Sequence, residues 1–134
     1  MVTACVAVRM SSERFPGKTM SALCGVPMLG HLLSRIERAK SLSDIIVATS
    51  VGAEDDEIED FCLSNGWRCF RGSRDDVLER MSSALEECRA QVGVVAYGDN
   101  PLIDPVIIDE MVTRFTSEEK YDWVGNNLTT TFPA

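Results

Sequence analysis

Arg9, Arg14 and Lys18 bring three cations into ten residues of a chain whose net charge is −8. They belong to the stretch Val6-Ala7-Val8-Arg9-Met10-Ser11-Ser12-Glu13-Arg14-Phe15-Pro16-Gly17-Lys18, with two serine hydroxyls between them. Guanidinium and ammonium groups gathered in this way suit clustered phosphate oxygens. A second set lies in Phe70-Arg71-Gly72-Ser73-Arg74-Asp75-Asp76-Val77-Leu78-Glu79-Arg80. There Arg71, Ser73 and the N–H groups of a helix start would reach a base or a sugar hydroxyl. Asp99 is the third candidate, beside Gly98, where backbone can pass close to a ligand. A carboxylate near triphosphate-binding cations usually means Mg²⁺, held by one or two carboxylates and phosphate oxygens. Each stretch also has a plainer reading: a solvated loop, a charged capped helix start and a turn residue.

The elements around these residues decide whether they can meet. Val2 to Val8 reads as a buried strand, and ligands of open α/β sheets sit beyond the carboxyl ends of strands. The basic loop would therefore take a nucleoside triphosphate. Gly17-Lys18-Thr19 matches the end of a P-loop, but position 12 is Ser12 rather than glycine and Pro16 removes an N–H donor. Gly25 and Pro27 also break any helix begun at Lys18.

Further along, Pro27 opens a helix with Met28, Leu29, Leu32, Leu33 and Ile36 at helical spacing. Asp44 to Ser50 is a nearly continuous apolar run, expected of a parallel strand covered on both faces. Glu54 to Asn65 reads as an acidic-fronted helix ended by Gly66, and Trp67 to Phe70 as a short strand. Ser73 and Asp76 read as a capping box for a helix with the apolar stripe Val77, Leu78, Met81, Leu85 and Cys88. Val92 to Ala96 is the next strand, Asp104 and Pro105 open a helix, and Tyr121 to Val124 is expected as a last strand. This alternation predicts a mostly parallel sheet flanked by helices.

The 134 residues, 45% hydrophobic and 25% charged, fit one domain of ordinary globular composition. No apolar run approaches a bilayer span and no basic-then-apolar leader opens the chain, so a cytoplasmic protein without membrane partners is expected. The acidic balance argues against nonspecific nucleic-acid binding. Five cysteines at positions 5, 24, 62, 69 and 88 form no C-x-x-C pair and read as reduced core residues. The lone His31 leaves little material for a histidine metal site or a Ser-His-Asp triad, and is expected on a helix surface.

Together, Arg9-x-x-Ser12-x-Arg14-x-Pro16-Gly17-Lys18, Phe70-Arg71-Gly72-Ser73-x-Asp75-Asp76-Val77-Leu78-x-Arg80 and Gly98-Asp99-x-Pro101-Leu102-Ile103-Asp104 resemble the cytidylyltransferases that activate acidic sugars. The closest branch is the spore coat polysaccharide type, related to the acylneuraminate and 3-deoxy-manno-octulosonate enzymes. The resemblance runs from Val2 to Pro133. It implies a Rossmann-like, three-layer nucleotidyltransferase fold and transfer of CMP from CTP to an acidic sugar with release of pyrophosphate. It also implies that Arg9, Ser12, Arg14 and Lys18 hold CTP, that Arg71 and Ser73 lie near base and ribose, and that Asp99 helps bind Mg²⁺. Arg9, Lys18 and Asp99 would carry the chemistry. Two departures stand beside it. Val95 occupies a position where this branch commonly has arginine, and members run to roughly twice this length. The resemblance thus implies an absent acceptor-sugar and dimerisation half, with a homodimer as the full-length form. The competing readings are a nonenzymatic or inactive nucleotide-binding fragment, another sugar nucleotidyltransferase, and a P-loop kinase, which would take ATP.

Overall fold

The computed structural model describes residues 1–11, 14–118 and 120–126. The runs of β-branched and small apolar residues form strands β1 (Val2–Ala7) and β4 (Asp44–Ser50), both almost wholly buried. They pair in parallel, with Cys5 opposite Ile46 and Ala7 opposite Ala48. Strand β5 (Arg68–Gly72) adds to β4, and β6 (Val92–Tyr97) adds to the other side of β1. The resulting four-stranded parallel sheet has the order β5-β4-β1-β6. The reversal of direction at β1 makes its carboxyl end the place where an open sheet of this kind takes a ligand.

Helix α1 (Met28–Ile36) buries Leu29, Leu32, Leu33 and Ile36 against one face of the sheet, where Ala4, Val6 and Val47 meet them. Helices α2 (Asp56–Ser64) and α4 (Pro105–Ser117) add Ile58, Cys62, Ile108 and Val112 to that core. Helix α3 (Val77–Glu87) covers the opposite face, packing Met81 and Ala84 on Cys5, Ala7, Ile46 and Ala48. Both faces of β1 and β4 are thus covered, as their continuous apolar sequence requires.

Four expectations need correction. Tyr121 to Val124 forms no strand, and Trp123 is 66% exposed. Aromatic and β-branched residues do not hold a strand without a neighbour to take their backbone hydrogen bonds. The cap of α3 is Asp76, whose carboxylate accepts the Glu79 N–H at 2.9 Å. Ser73 instead accepts the Asp76 N–H, closing the turn before the helix. Leu78 lies on the flank of the α3 stripe and is 74% exposed, while Arg80 goes inside. Cys24 is no core residue; it sits exposed at φ 52° beside Gly25 at φ 81°. These two make the turn of a hairpin, β2 (Ala22–Leu23) with β3 (Val26–Pro27), as paired positive φ values favour. Cys5, Cys62 and Cys88 are buried as expected, and every cysteine is a free thiol.

The hairpin replaces the helix that a P-loop would require. After Gly17, at φ 74°, the chain makes one short 3₁₀ turn over Lys18–Met20 and leaves it at Ser21. His31 on α1 is half-buried and donates to the Leu23 carbonyl at 2.6 Å, pinning the hairpin.

Candidate active site

The basic loop leaves β1 in a fixed direction because its backbone is tied down at both ends. The Val8 N–H continues the ladder to the Ala48 carbonyl at 3.1 Å, and the Gly17 N–H closes the loop on the Met10 carbonyl at 2.9 Å. Asp55, fully buried ahead of α2, accepts the Met10 N–H at 2.7 Å. Its second oxygen takes the Ser50 N–H at 3.1 Å and the Ser50 hydroxyl. A buried carboxylate with several donors anchors strongly, since losing a donor would leave charge unsatisfied. Asp55 thereby ties the exit of β1 to the exit of β4. Thr19 adds a bond from its hydroxyl to the Arg9 carbonyl at 3.4 Å.

On the other side of β1, Gly98 is buried and its N–H meets the Ala7 carbonyl at 3.0 Å. A Cβ there would stand 2.1 Å from Cγ1 of Val8. Glycine therefore lets the turn after β6 lie against β1, which carries Asp99 to the basic loop. Arg9, Ser11, Arg14, Lys18, Tyr97 and Asp99 line one cleft of about 540 Å³ at the carboxyl ends of β1 and β6.

The structure thus brings Arg9, Arg14, Lys18 and Asp99 together. Arg9, Arg14 and Asp99 are exposed and Lys18 is half-buried. Among the described residues none of the three cations forms an ion pair, whereas Arg68, Arg71 and Arg74 each meet a carboxylate. In so acidic a chain, cations left without carboxylates are available to an anion. Ser12 lies outside the described residues.

Arg71 and Ser73 do not line this cleft. Arg71 stands on β5, and its guanidinium donates to the Ser50 and Gly52 carbonyls and to Asp56 and Glu59, at 2.6 to 2.8 Å. Burial pulls its pKa down, but the bonds to the two acids outweigh that and leave it raised. With every nitrogen engaged, Arg71 clamps β5 to the start of α2. Ser73 is engaged through both oxygens, its hydroxyl by the Asp76 N–H and its carbonyl by Arg80.

The sequence reading missed Asp55 and Tyr97. Asp55 is indistinguishable by type from its neighbours Glu54 and Asp56, which look like ordinary acids at a helix N-terminus. Tyr97, at the end of β6 before Gly98-Asp99, had a positional signal: an aromatic residue at a strand end on the ligand side of the sheet.

Comparison with known proteins agrees with this geometry. The family model described as cytidylyltransferase matches residues 3–132. The spore coat polysaccharide biosynthesis protein SpsF of Bacillus subtilis is 32% identical over 126 residues, covering 90% of this chain and 52% of that protein. A 3-deoxy-manno-octulosonate cytidylyltransferase of Geobacter sulfurreducens is 35% identical over 113 residues, covering 83% of this chain and 44% of that protein. The solved structure of a cytidylyltransferase from Leptospira borgpetersenii superimposes with a TM-score of 0.84 at 33% identity, covering 89% of this chain and 50% of that one. The chain spans about half the length of the curated relatives it matches.

Proposed function

The chain belongs to the cytidylyltransferase family, and from that membership we propose that its cleft holds CTP for transfer of CMP to an acidic sugar. The observation that carries this reading is the cleft itself: Arg9, Arg14 and Lys18, without carboxylate partners among the described residues, face the same space as Asp99. In the reaction a sugar hydroxyl forms a bond to the α-phosphorus, the bond to the β-phosphate oxygen breaks, and pyrophosphate leaves. Lys18 and the two arginines neutralise charge on the departing phosphates, and the tied-down loop fixes where they stand. Positioning and charge are the main requirements of such a transfer, because no covalent enzyme intermediate is needed.

A lone carboxylate beside phosphate-binding cations fits Mg²⁺, which commonly takes one or two protein carboxylates and fills its shell with phosphate oxygens and water. Among the described residues no group of three or more His, Cys, Asp or Glu could hold a metal without such help. We assign Asp99 as its ligand. When bound, the ion would withdraw charge from the attacked phosphate. Arg71 and Ser73 act in this reading by holding the strand-end framework, and Ser12 stays assigned to the loop's phosphate contacts. No helix among the described residues is long and apolar enough to cross a membrane; action in the cytoplasm is part of the proposal. A homodimer in the whole protein belongs to the same proposal.

Val95, 46% exposed on β6 where the resembling branch commonly carries arginine, favours a second reading: nucleotide binding without transfer. Calorimetry with Mg²⁺ tests the first. CTP should bind more tightly than ATP, and Lys18→Ala should weaken CTP far more than CMP. Equal or tighter ATP binding would reject the cytidylyl assignment. Equal losses for CTP and CMP would remove Lys18 from the outer phosphates. Pyrophosphate release with CTP and an acidic sugar separates transfer from binding alone.

A further inference from the structure

The cations of the cleft and Asp99 account for the phosphates and the metal of CTP and leave its nucleoside half without a contact. Arg71 and Ser73, expected near base and ribose, stand outside the cleft with their polar atoms engaged. Among the residues that line it, Tyr97 is the only one with an aromatic side chain. Tyr97 ends β6 and is 60% exposed, yet its backbone is fixed. It lies in register with Ala7, the following N–H of Gly98 meets the Ala7 carbonyl at 3.0 Å, and its own carbonyl accepts the Asn100 N–H at 3.4 Å. Val95, two residues earlier and so on the same face of the strand, is also exposed. Along β6 the ring thus has apolar surface on one side and the charged strand end on the other.

We propose that Tyr97 is the nucleoside-binding residue of the cleft, with its ring stacked on the cytosine of CTP. This rests on the reading of the cleft as a CTP site and deepens it by naming what holds the base. A nucleobase and an aromatic ring each offer a flat face, and stacking removes both faces from water. Tyr97 stands two residues before Asp99, so a nucleoside against the ring has its α-phosphate, one ribose away, beside that carboxylate. A tyrosine with two side-chain torsions on a fixed backbone loses little freedom in making such a contact. Every base has such a face, so the stack adds affinity and orientation, while the choice of cytosine falls to groups that meet its edge.

The test compares wild type, Tyr97→Phe and Tyr97→Ala by calorimetry with Mg²⁺, using CTP and inorganic tripolyphosphate, which carries the three phosphates and no base. Tyr97→Ala should bind CTP about tenfold more weakly or worse, the scale of one lost base–aromatic stack, and bind tripolyphosphate as wild type does. Tyr97→Phe keeps the ring face and should keep the CTP affinity. Thermal melting checks that the variants fold; should Tyr97→Ala melt lower, Tyr97→Thr keeps the strand propensity and takes its place. Unchanged CTP binding by the ringless variant overturns the proposal, and a raised KM for the acidic sugar in that case assigns the ring to the acceptor instead. Equal losses for CTP and tripolyphosphate also overturn it, since the ring would then only shape the cation cleft. So does a loss in Tyr97→Phe as large as in Tyr97→Ala, which would make the hydroxyl the contact. If wild type binds neither ligand, the reading of the cleft as a CTP site fails and this inference falls with it.

Discussion

Single residues decide whether the cleft exists at all. Gly98 is required by contact rather than by dihedral angle, because a methyl there would overlap Cγ1 of Val8. Val8 is buried and β-branched, so its methyl has no inexpensive alternative rotamer. Gly98→Ala should cost about 1–3 kcal/mol, the usual range for overpacking, read as a lower urea midpoint with unchanged slope. It should also weaken CTP binding, since relief of the clash moves Asp99 away from the basic loop. Unchanged stability would mean that Val8 yields freely and that the close approach of β6 to β1 is not enforced by this glycine. At this scale the sequence was partly legible. Arg9, Arg14, Lys18 and Asp99 announce themselves because three cations in an acidic chain, and an acid beside glycine at a strand end, are unusual in type and place. Asp55 and Arg80 do not, because burial turns an ordinary-looking surface charge into a fixed one, and burial depends on which turn of the helix faces the sheet.

The elements were readable where one physical signal dominated. Apolar runs long enough for a strand produced β1 and β4, and four-residue apolar recurrence produced α1, whose Leu29, Leu32, Leu33 and Ile36 are all buried. Where local sequence needed a tertiary partner, the reading failed, as at Tyr121 to Val124. One partner contact of this kind joins α4 to the turn after α1. Asp109 accepts the Ser41 hydroxyl at 2.6 Å, the Ser41 N–H at 2.8 Å and the Lys40 N–H at 3.1 Å. Bonds from the Ser41 hydroxyl and then its N–H hold the Asp109 pKa below its ordinary value of 3.8. A carboxylate depressed in the folded state binds protons more readily once unfolded. Its contribution to stability is complete above the ordinary value and is lost as pH falls through the lower folded value. Asp109→Asn should therefore lower stability at neutral pH and flatten its acid dependence below about pH 4. Parallel stability–pH curves for variant and wild type would show that these bonds do not couple folding to protonation.

At the scale of the whole molecule, the parallel order β5-β4-β1-β6 sends the ends of β1 and β6 to one edge, and so gathers residues ninety positions apart in sequence. That edge carries Arg9, Arg14 and Lys18, which form no ion pair among the described residues, on a chain whose net charge of −8 repels anions. A short polyphosphate fits inside the attractive region. A long polyanion must also cross surface such as the start of α2, with Asp56, Glu57 and Glu59 in its first turn. The field should therefore select by length as well as by charge. CTP affinity should fall as salt rises from roughly 0.01 to 1 M, over which the screening length shrinks from about 30 to 3 Å. A fluorescent single-stranded oligonucleotide should show no anisotropy change at protein concentrations that saturate with CTP. Oligonucleotide binding at the same concentration, lost in high salt, would mean that the positive region extends well beyond the cleft. Salt-independent CTP binding would mean instead that base and ribose contacts, rather than Arg9, Arg14 and Lys18, supply most of the affinity.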